Sequence, residues 1–247
     1  MKGVLIMLRT IIWLIYFSLY LILSIPMLWK VKKMREKGQI EEHDHIVRKM
    51  VKNWALRLMK LAGATMEVTG LENIPEGPVV FAANHQGYAD IPLLLTQLDK
   101  PNPIIAKKEL EKVPLLSHWM KELNCIFIDR ENARQAMDSL KKANELLRDG
   151  YSVCIFPEGT RNKGKDLLEF KSGTIRLATR AKVPIVPCCI EGTYNMLEAN
   201  KGFKITPAKL QLHILPAIET AELSREEIKG LDEKLRTIIK VKRDSVM

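Results

Sequence analysis

Two short runs carry the residue types from which chemistry could be built: Asn84-His85-Gln86-Gly87-Tyr88-Ala89-Asp90 and Phe156-Pro157-Glu158-Gly159-Thr160-Arg161. Each begins where an apolar, strand-like stretch runs out. The first supplies a base, His85, and a carboxylate, Asp90, that could orient it. On a continuous helix an offset of five residues turns by about 140°, so the two side chains would not meet. The run must therefore be a loop entering a helix N-terminus, with Gly87 allowing the bend and Asp90 near the cap. In that geometry Asp90 holds one imidazole nitrogen and leaves the other as an acceptor for a substrate hydroxyl. A histidine beside a strand end is also a common packing residue, and Asp before Ile-Pro is an ordinary cap.

The second run shifts that balance. Pro157 and Gly159 make a compact turn, Arg161 offers a bidentate donor for phosphate, and Glu158 can orient donors or substrate hydroxyls. A third element, Ile126-Phe127-Ile128-Asp129-Arg130, again places a guanidinium past a strand. A fourth, Val183-Pro184-Ile185-Val186-Pro187, reads as an apolar strand whose two prolines suit an edge or the wall of a site.

The elements that must position these residues follow from the hydrophobic pattern. Short apolar runs at 65–68, 79–83, 103–106, 125–128, 152–156, 185–190 and 210–215 predict strands. Amphipathic stretches at 91–98, 113–123, 131–148, 174–181 and 225–241 predict helices. In the clearest of these, Ala133, Ala136, Met137, Leu140, Ala143 and Leu147 form one stripe that Gly150 terminates. Alternation of this kind gives an α/β fold: a single largely parallel or mixed sheet covered by helices, with its site at the carboxyl ends of the strands. No long linker or repeat divides 63–247, which reads as one catalytic domain.

Residues 1–62 read differently, as a membrane-anchoring two-helix region. Twenty uncharged residues separate Arg9 from Lys30, enough for a helix of ~30 Å. Lys30, Lys32, Lys33, Arg35 and Lys37 follow it and put that side in the cytoplasm. Pro26 allows either a full span or a bent pair buried in one leaflet. A second helix, about 41–61, carries rows Ile46/Met50/Trp54/Leu58 and Val47/Val51/Ala55/Met59 flanked by bases. Such a stripe suits a lipid interface or packing on the domain equally. The acids and histidines at 41–45 suit the first turn of a helix better than a metal site, because His43 and His45 do not share a face.

Formal charge is +10, of which residues 1–62 hold +8 and the other 185 residues only +2. Excess charge beside an apolar run favours an anionic membrane surface over nucleic acid. Cys125, Cys154, Cys188 and Cys189 lie in apolar runs without metal or redox spacing, and adjacent Cys188 and Cys189 should point to opposite sheet faces. Neither a Gly-x-Ser-x-Gly elbow nor a nucleotide-binding glycine fingerprint occurs.

In this order the four elements resemble the glycerolipid acyltransferase family. Asn84, His85 and Asp90 match its Asn-His-x-x-x-x-Asp block. Phe127, Asp129 and Arg130 match its second block, although Asn124 and Cys125 stand where a glycine is often found. Phe156 to Arg161 match the third block at every position, and Val186 and Pro187 match the fourth. The resemblance covers about 63–215. It implies acyl transfer from a thioester, acyl-ACP or acyl-CoA, to the sn-2 hydroxyl of lysophosphatidic acid, without a cofactor or metal. It implies His85 and Asp90 as the catalytic pair. It implies Lys107, Arg130, Glu158, Gly159, Thr160 and Arg161 for the phosphate and glycerol, with Lys108 as the nearby competitor of Lys107. Backbone amides around Gly87 or at the following helix start are candidates for oxyanion donors. Another lysophospholipid or glycerol 3-phosphate as acceptor, or a non-catalytic lipid-binding protein, are the alternative readings. The expected location is the inner membrane, with the catalytic domain facing the cytoplasm.

Overall fold

The computed structural model describes residues 2–98, 103–129 and 132–246. The apolar leader forms α1 (Lys2–Leu23) and α2 (Ile25–Glu36). They are separated at Ser24 because Pro26, in the first turn of α2, has no N–H to give and crowds the preceding turn. The pair runs back along α3 (Ile40–Ala62), which ends at Gly63 with φ 75°. The indole N–H of Trp13 donates to the Leu58 carbonyl at 3.1 Å, and Tyr20 Oη donates to the Met50 carbonyl at 3.0 Å. The stripe of α3 packs on protein: Val47, Ala55, Leu58, Met59 and Ala62 are buried.

The sheet strands are β1 (Thr65–Thr69), β2 (Val80–Ala83), β3 (Ile105–Lys107), β4 (Ile126–Ile128), β5 (Val153–Ile155), β6 (Ile185–Glu191) and β7 (Lys209–Ile214). Five of them follow the order β1-β7-β6-β2-β5, with β3 and β4 as a neighbouring pair. A parallel bridge between Ile104 and Cys154 attaches that pair beyond β5. All neighbours are parallel except β6 and β7. The carboxyl ends of β6, β2, β5, β3 and β4 therefore share one edge with the start of β1 and β7.

Helices α4 (Asp90–Gln97), α5 (Leu116–Glu122), α6 (Ala133–Arg148), α7 (Gly173–Ala181), α8 (Arg225–Ile228) and α9 (Leu231–Asp244) complete the layers. Side chains alternate along β2: Phe81 and Ala83 join the core formed with α3 and α4, while Val80 and Ala82 join the core beneath α6, α7 and α9. Cys188 and Cys189 fall into opposite cores, as their adjacency requires.

Two expectations need correction. Of the two places suggested for the Val183–Pro187 run, an edge or the wall of a site, the edge is excluded, since β6 lies in the middle of the sheet between β7 and β2. Its proline is tolerated because Ile185 bridges Ile218 while the β6–β7 ladder starts at Cys188 and Ile214, so one extra residue bulges out beside Pro187. The helix expected at 225–241 is two helices, parted at Gly230 with φ 83°.

Candidate active site

At the end of β2, Asn84 is fully buried and its carboxamide spans to β6. Nδ2 donates to the Ile190 carbonyl at 2.8 Å, and Oδ1 accepts from the Ile190 N–H at 2.7 Å. This bridge releases the chain from the ladder at a fixed point and delivers His85 to the edge.

The following loop is organised around Asp90, which is fully buried. Its Oδ2 accepts from His85 Nδ1 at 2.6 Å, from the Gln86 N–H at 2.7 Å and from the Gly87 N–H at 3.0 Å. Its Oδ1 accepts from the Thr193 hydroxyl. A carboxylate with four donors is held rigidly, and Nδ1 of His85 is thereby fixed as the protonated nitrogen. The imidazole stacks on Phe156 with centroids 4.1 Å apart, and its side chain keeps 16% exposure. Nε2 meets no hydrogen-bond partner among the described residues. The arrangement can take a proton from a hydroxyl at that nitrogen.

After β5, Glu158 turns inward, and only 3% of it is exposed. Oε1 accepts from the His85 N–H at 2.7 Å; Oε2 accepts from the Leu168 N–H at 2.9 Å; the Asn162 amide bonds both oxygens. Burial pushes this carboxyl above the usual carboxylate range, against the opposing pull of those donors. Glu158 thus ties the second run to the first from inside. Gly159, at φ 70°, makes the turn, closing onto the Phe156 carbonyl, and Thr160 is exposed beside it.

Arg161 joins the His85 loop directly. Its guanidinium carbon lies 3.9 Å from the centroid of the Tyr88 ring, and Nη1 donates to Glu198 Oε1 at 3.1 Å. The same oxygen accepts from the Tyr88 N–H at 2.6 Å. Gly87 makes no left-handed bend; it leaves room for the Glu198 carboxylate, which a Cβ at 2.7 Å from Oε2 would push aside. Lys107 ends β3, on the same edge but two strands from β2, and its ammonium reaches Glu109 Oε1 at 2.9 Å. Arg130 lies outside the described residues, past the end of β4.

Of the two places suggested for oxyanion donors, the amides around Gly87 are already engaged. The N–H groups of His85, Gln86, Gly87 and Tyr88 are already given to Glu158, Asp90, Asp90 and Glu198. Sequence reasoning also missed Thr193, Gln86, Asn162 and Glu198. Thr193 Oγ1, which gives its proton to Asp90, also lies 3.2 Å from Gln86 Oε1; Gln86 Nε2 donates to Glu191 Oε2 at 2.7 Å, which Arg243 Nε also meets at 2.7 Å. A polar residue just past a strand end at the site edge is the signal that could have found Thr193; nothing local marks Glu198.

The Acyltransferase family model matches residues 65–191, which include both runs. The "Probable 1-acyl-sn-glycerol-3-phosphate acyltransferase" of Mycoplasma pneumoniae is 35% identical over 145 residues, 57% of this chain and 54% of that protein, so the match spans about half that relative's length. The 1-acyl-sn-glycerol-3-phosphate acyltransferase of Borreliella burgdorferi is 33% identical over 187 residues, covering 75% of this chain and 74% of that one. The crystal structure of the 1-acyl-sn-glycerophosphate (LPA) acyltransferase PlsC from Thermotoga maritima superposes with a TM-score of 0.84 at 28% identity, covering 100% of this chain and 98% of that chain.

Proposed function

The chain belongs to the Acyltransferase family, and from that premise we propose that it moves a fatty acyl group from an acyl thioester to the sn-2 hydroxyl of lysophosphatidic acid, giving phosphatidic acid. The thioester is carried on acyl carrier protein or coenzyme A. One observation carries the chemical part of this reading: a buried Asp90 fixes Nδ1 of His85 while Nε2 stays available at the strand-end edge.

His85 Nε2 accepts the hydroxyl proton as the oxygen attacks the thioester carbonyl. Asp90 supports the imidazolium that forms, and the proton then passes to the departing thiolate. A thiolate leaves readily, so no enzyme nucleophile is needed. The cysteines suit that economy: burial pushes Cys125 and Cys189 up to about 12, and raises Cys154 and Cys188 as well. Arg161 offers its remaining N–H groups to the acceptor phosphate, with Lys107 on the same edge and Gly159 and Thr160 in the turn beside it; the family resemblance adds Arg130 as a further cation. Glu158 serves by positioning His85.

Residues 1–62 anchor the chain and residues 63–247 carry the chemistry. Helix α1 is long and apolar enough to cross a membrane. Yet one face of it lies along α3 and the folded domain: Trp13 and Tyr20 bond Leu58 and Met50 of α3, Thr10 bonds Ile205, and Ser24 just past its end bonds Trp119. Its opposite face turns apolar side chains outward, including Leu8, Ile11, Ile15 and Leu19. That geometry favours a helix sunk into one leaflet at the cytoplasmic face of the inner membrane, with anionic lipids meeting the basic residues of α2 and α3.

Replacing His85 by Ala should lower phosphatidic acid formation by about 10²–10⁴-fold while the chain stays folded. Undiminished turnover would rule the mechanism out.

A further inference from the structure

The connection from β6 to β7, residues 192–208, leaves the sheet at the site edge and is far longer than a hairpin needs. Its neck is closed by Asn200, whose Nδ2 donates to the Lys204 carbonyl at 2.9 Å and to Thr206 Oγ1 at 3.0 Å. The Thr206 N–H reaches the Met196 carbonyl at 2.9 Å, so the tip between these points is presented on a fixed stem. The tip reads Lys201-Gly202-Phe203-Lys204, and all four residues are exposed. Gly202 turns at φ 71° with nothing within 4 Å of where a Cβ would stand. Phe203 is 53% exposed, an unusual place for so large an apolar ring.

Two contacts say what lies in front of it. The Phe203 ring stands 6.3 Å from that of Trp13 on α1, and the Ile205 N–H donates to Thr10 Oγ1 at 2.9 Å. The tip therefore packs against the inner side of α1, alongside the outward apolar face carried by Leu8, Ile11 and Ile15. Between Glu198 and Lys209 the connection holds two lysines and no acid. An apolar ring between two ammonium groups, beside a helix with an exposed apolar face, matches a bilayer surface with anionic headgroups. A protein partner would leave the α1 face uncovered on the same side.

Resting on the lipid-acceptor reading above, we propose that Lys201, Phe203 and Lys204 form a second lipid contact, separate from the N-terminal helices. Phe203 enters the interface and the two lysines meet lipid phosphates. The neck of the same connection carries Glu198, which holds the Tyr88 amide and Arg161. Lipid contact thus sets the distance between the leaflet and the site, so that an acceptor can present its headgroup without leaving the bilayer.

The full chain carrying K201S, F203S and K204S together is compared with the unaltered chain in two measurements. Flotation with phosphatidylglycerol–phosphatidylcholine vesicles should weaken on the order of tenfold. Turnover of long-chain lysophosphatidic acid embedded in those vesicles should fall similarly, while turnover of a short-chain, monomeric lysophosphatidic acid stays within about twofold. The K201S/K204S pair, which keeps Phe203, should lose preference for anionic over purely phosphatidylcholine vesicles. Unchanged flotation and vesicle turnover would overturn the proposal, as would an equal loss on the monomeric acceptor, which would place the loop's effect inside the site. If the unaltered chain acylates neither acceptor, the acceptor reading fails, and flotation alone still decides whether the tip binds lipid.

Discussion

At the scale of single residues, the site is defined by which hydrogen-bonding groups are already spent. Asp90 is the example: three donors on Oδ2 come from its own loop, but the one on Oδ1 comes from Thr193, beyond β6. Thr193 is a positioning residue, because it touches Asp90 and Gln86. Removing its hydroxyl leaves a buried carboxylate oxygen short of a donor, at a cost of about 1–3 kcal/mol. Thr193→Val should lower kcat by roughly tenfold with the acceptor KM nearly unchanged, and Thr193→Ser should restore most of it. Steady-state kinetics of the two variants check this; a rise in KM alone would mean that Thr193 shapes the acceptor site instead. Glu198 works by the same logic, since its carboxylate engages Arg161 and occupies the space beside Gly87 that a Cβ there would contest.

At the scale of elements, α3 decides how the N-terminal helices relate to the sheet. Met59 is fully buried and belongs to the same core as Val79, Phe81 and Leu93. Met59→Ala should cost about 2–5 kcal/mol through lost burial and the cavity left behind. Calorimetry should show one transition moved to lower temperature for the whole chain; a second, unmoved transition would show that α3 and the sheet melt independently. The strands and helices themselves were largely legible, because each apolar run is bounded by turn residues and each amphipathic run has a helical stripe. The break at Ser24 was signalled by Pro26; the one at Gly230 was overridden by the amphipathic stripe that runs across the glycine. The central place of β6 was not legible, since a bulge that excuses a proline exists only once the partner strand is aligned.

At the scale of the molecule, charge and apolar surface lie together on one part of the chain. Residues 1–62 carry a net +8 and include the exposed face of α1. Binding of the full chain to anionic vesicles should therefore fall about tenfold between low salt and 0.5 M salt, as screening shortens to a few ångströms. Binding to neutral vesicles should change little. Flotation across a salt series measures both, and salt-independent binding to anionic vesicles would leave the apolar face alone responsible.

The sequence by itself determined the alternation of strands and helices, the two runs at strand ends, the apolar leader and its basic flank. Those are local properties, written in side-chain periodicity and in residues a few positions apart. The tertiary structure decided everything that needed a partner far along the chain: the strand order, the bulge beside Pro187, the Thr193 donor on Asp90, the inward turn of Glu158 and the hold of Glu198 on Arg161. A hydrogen bond between residues a hundred positions apart has no local pattern, because it exists only after packing has brought both ends together.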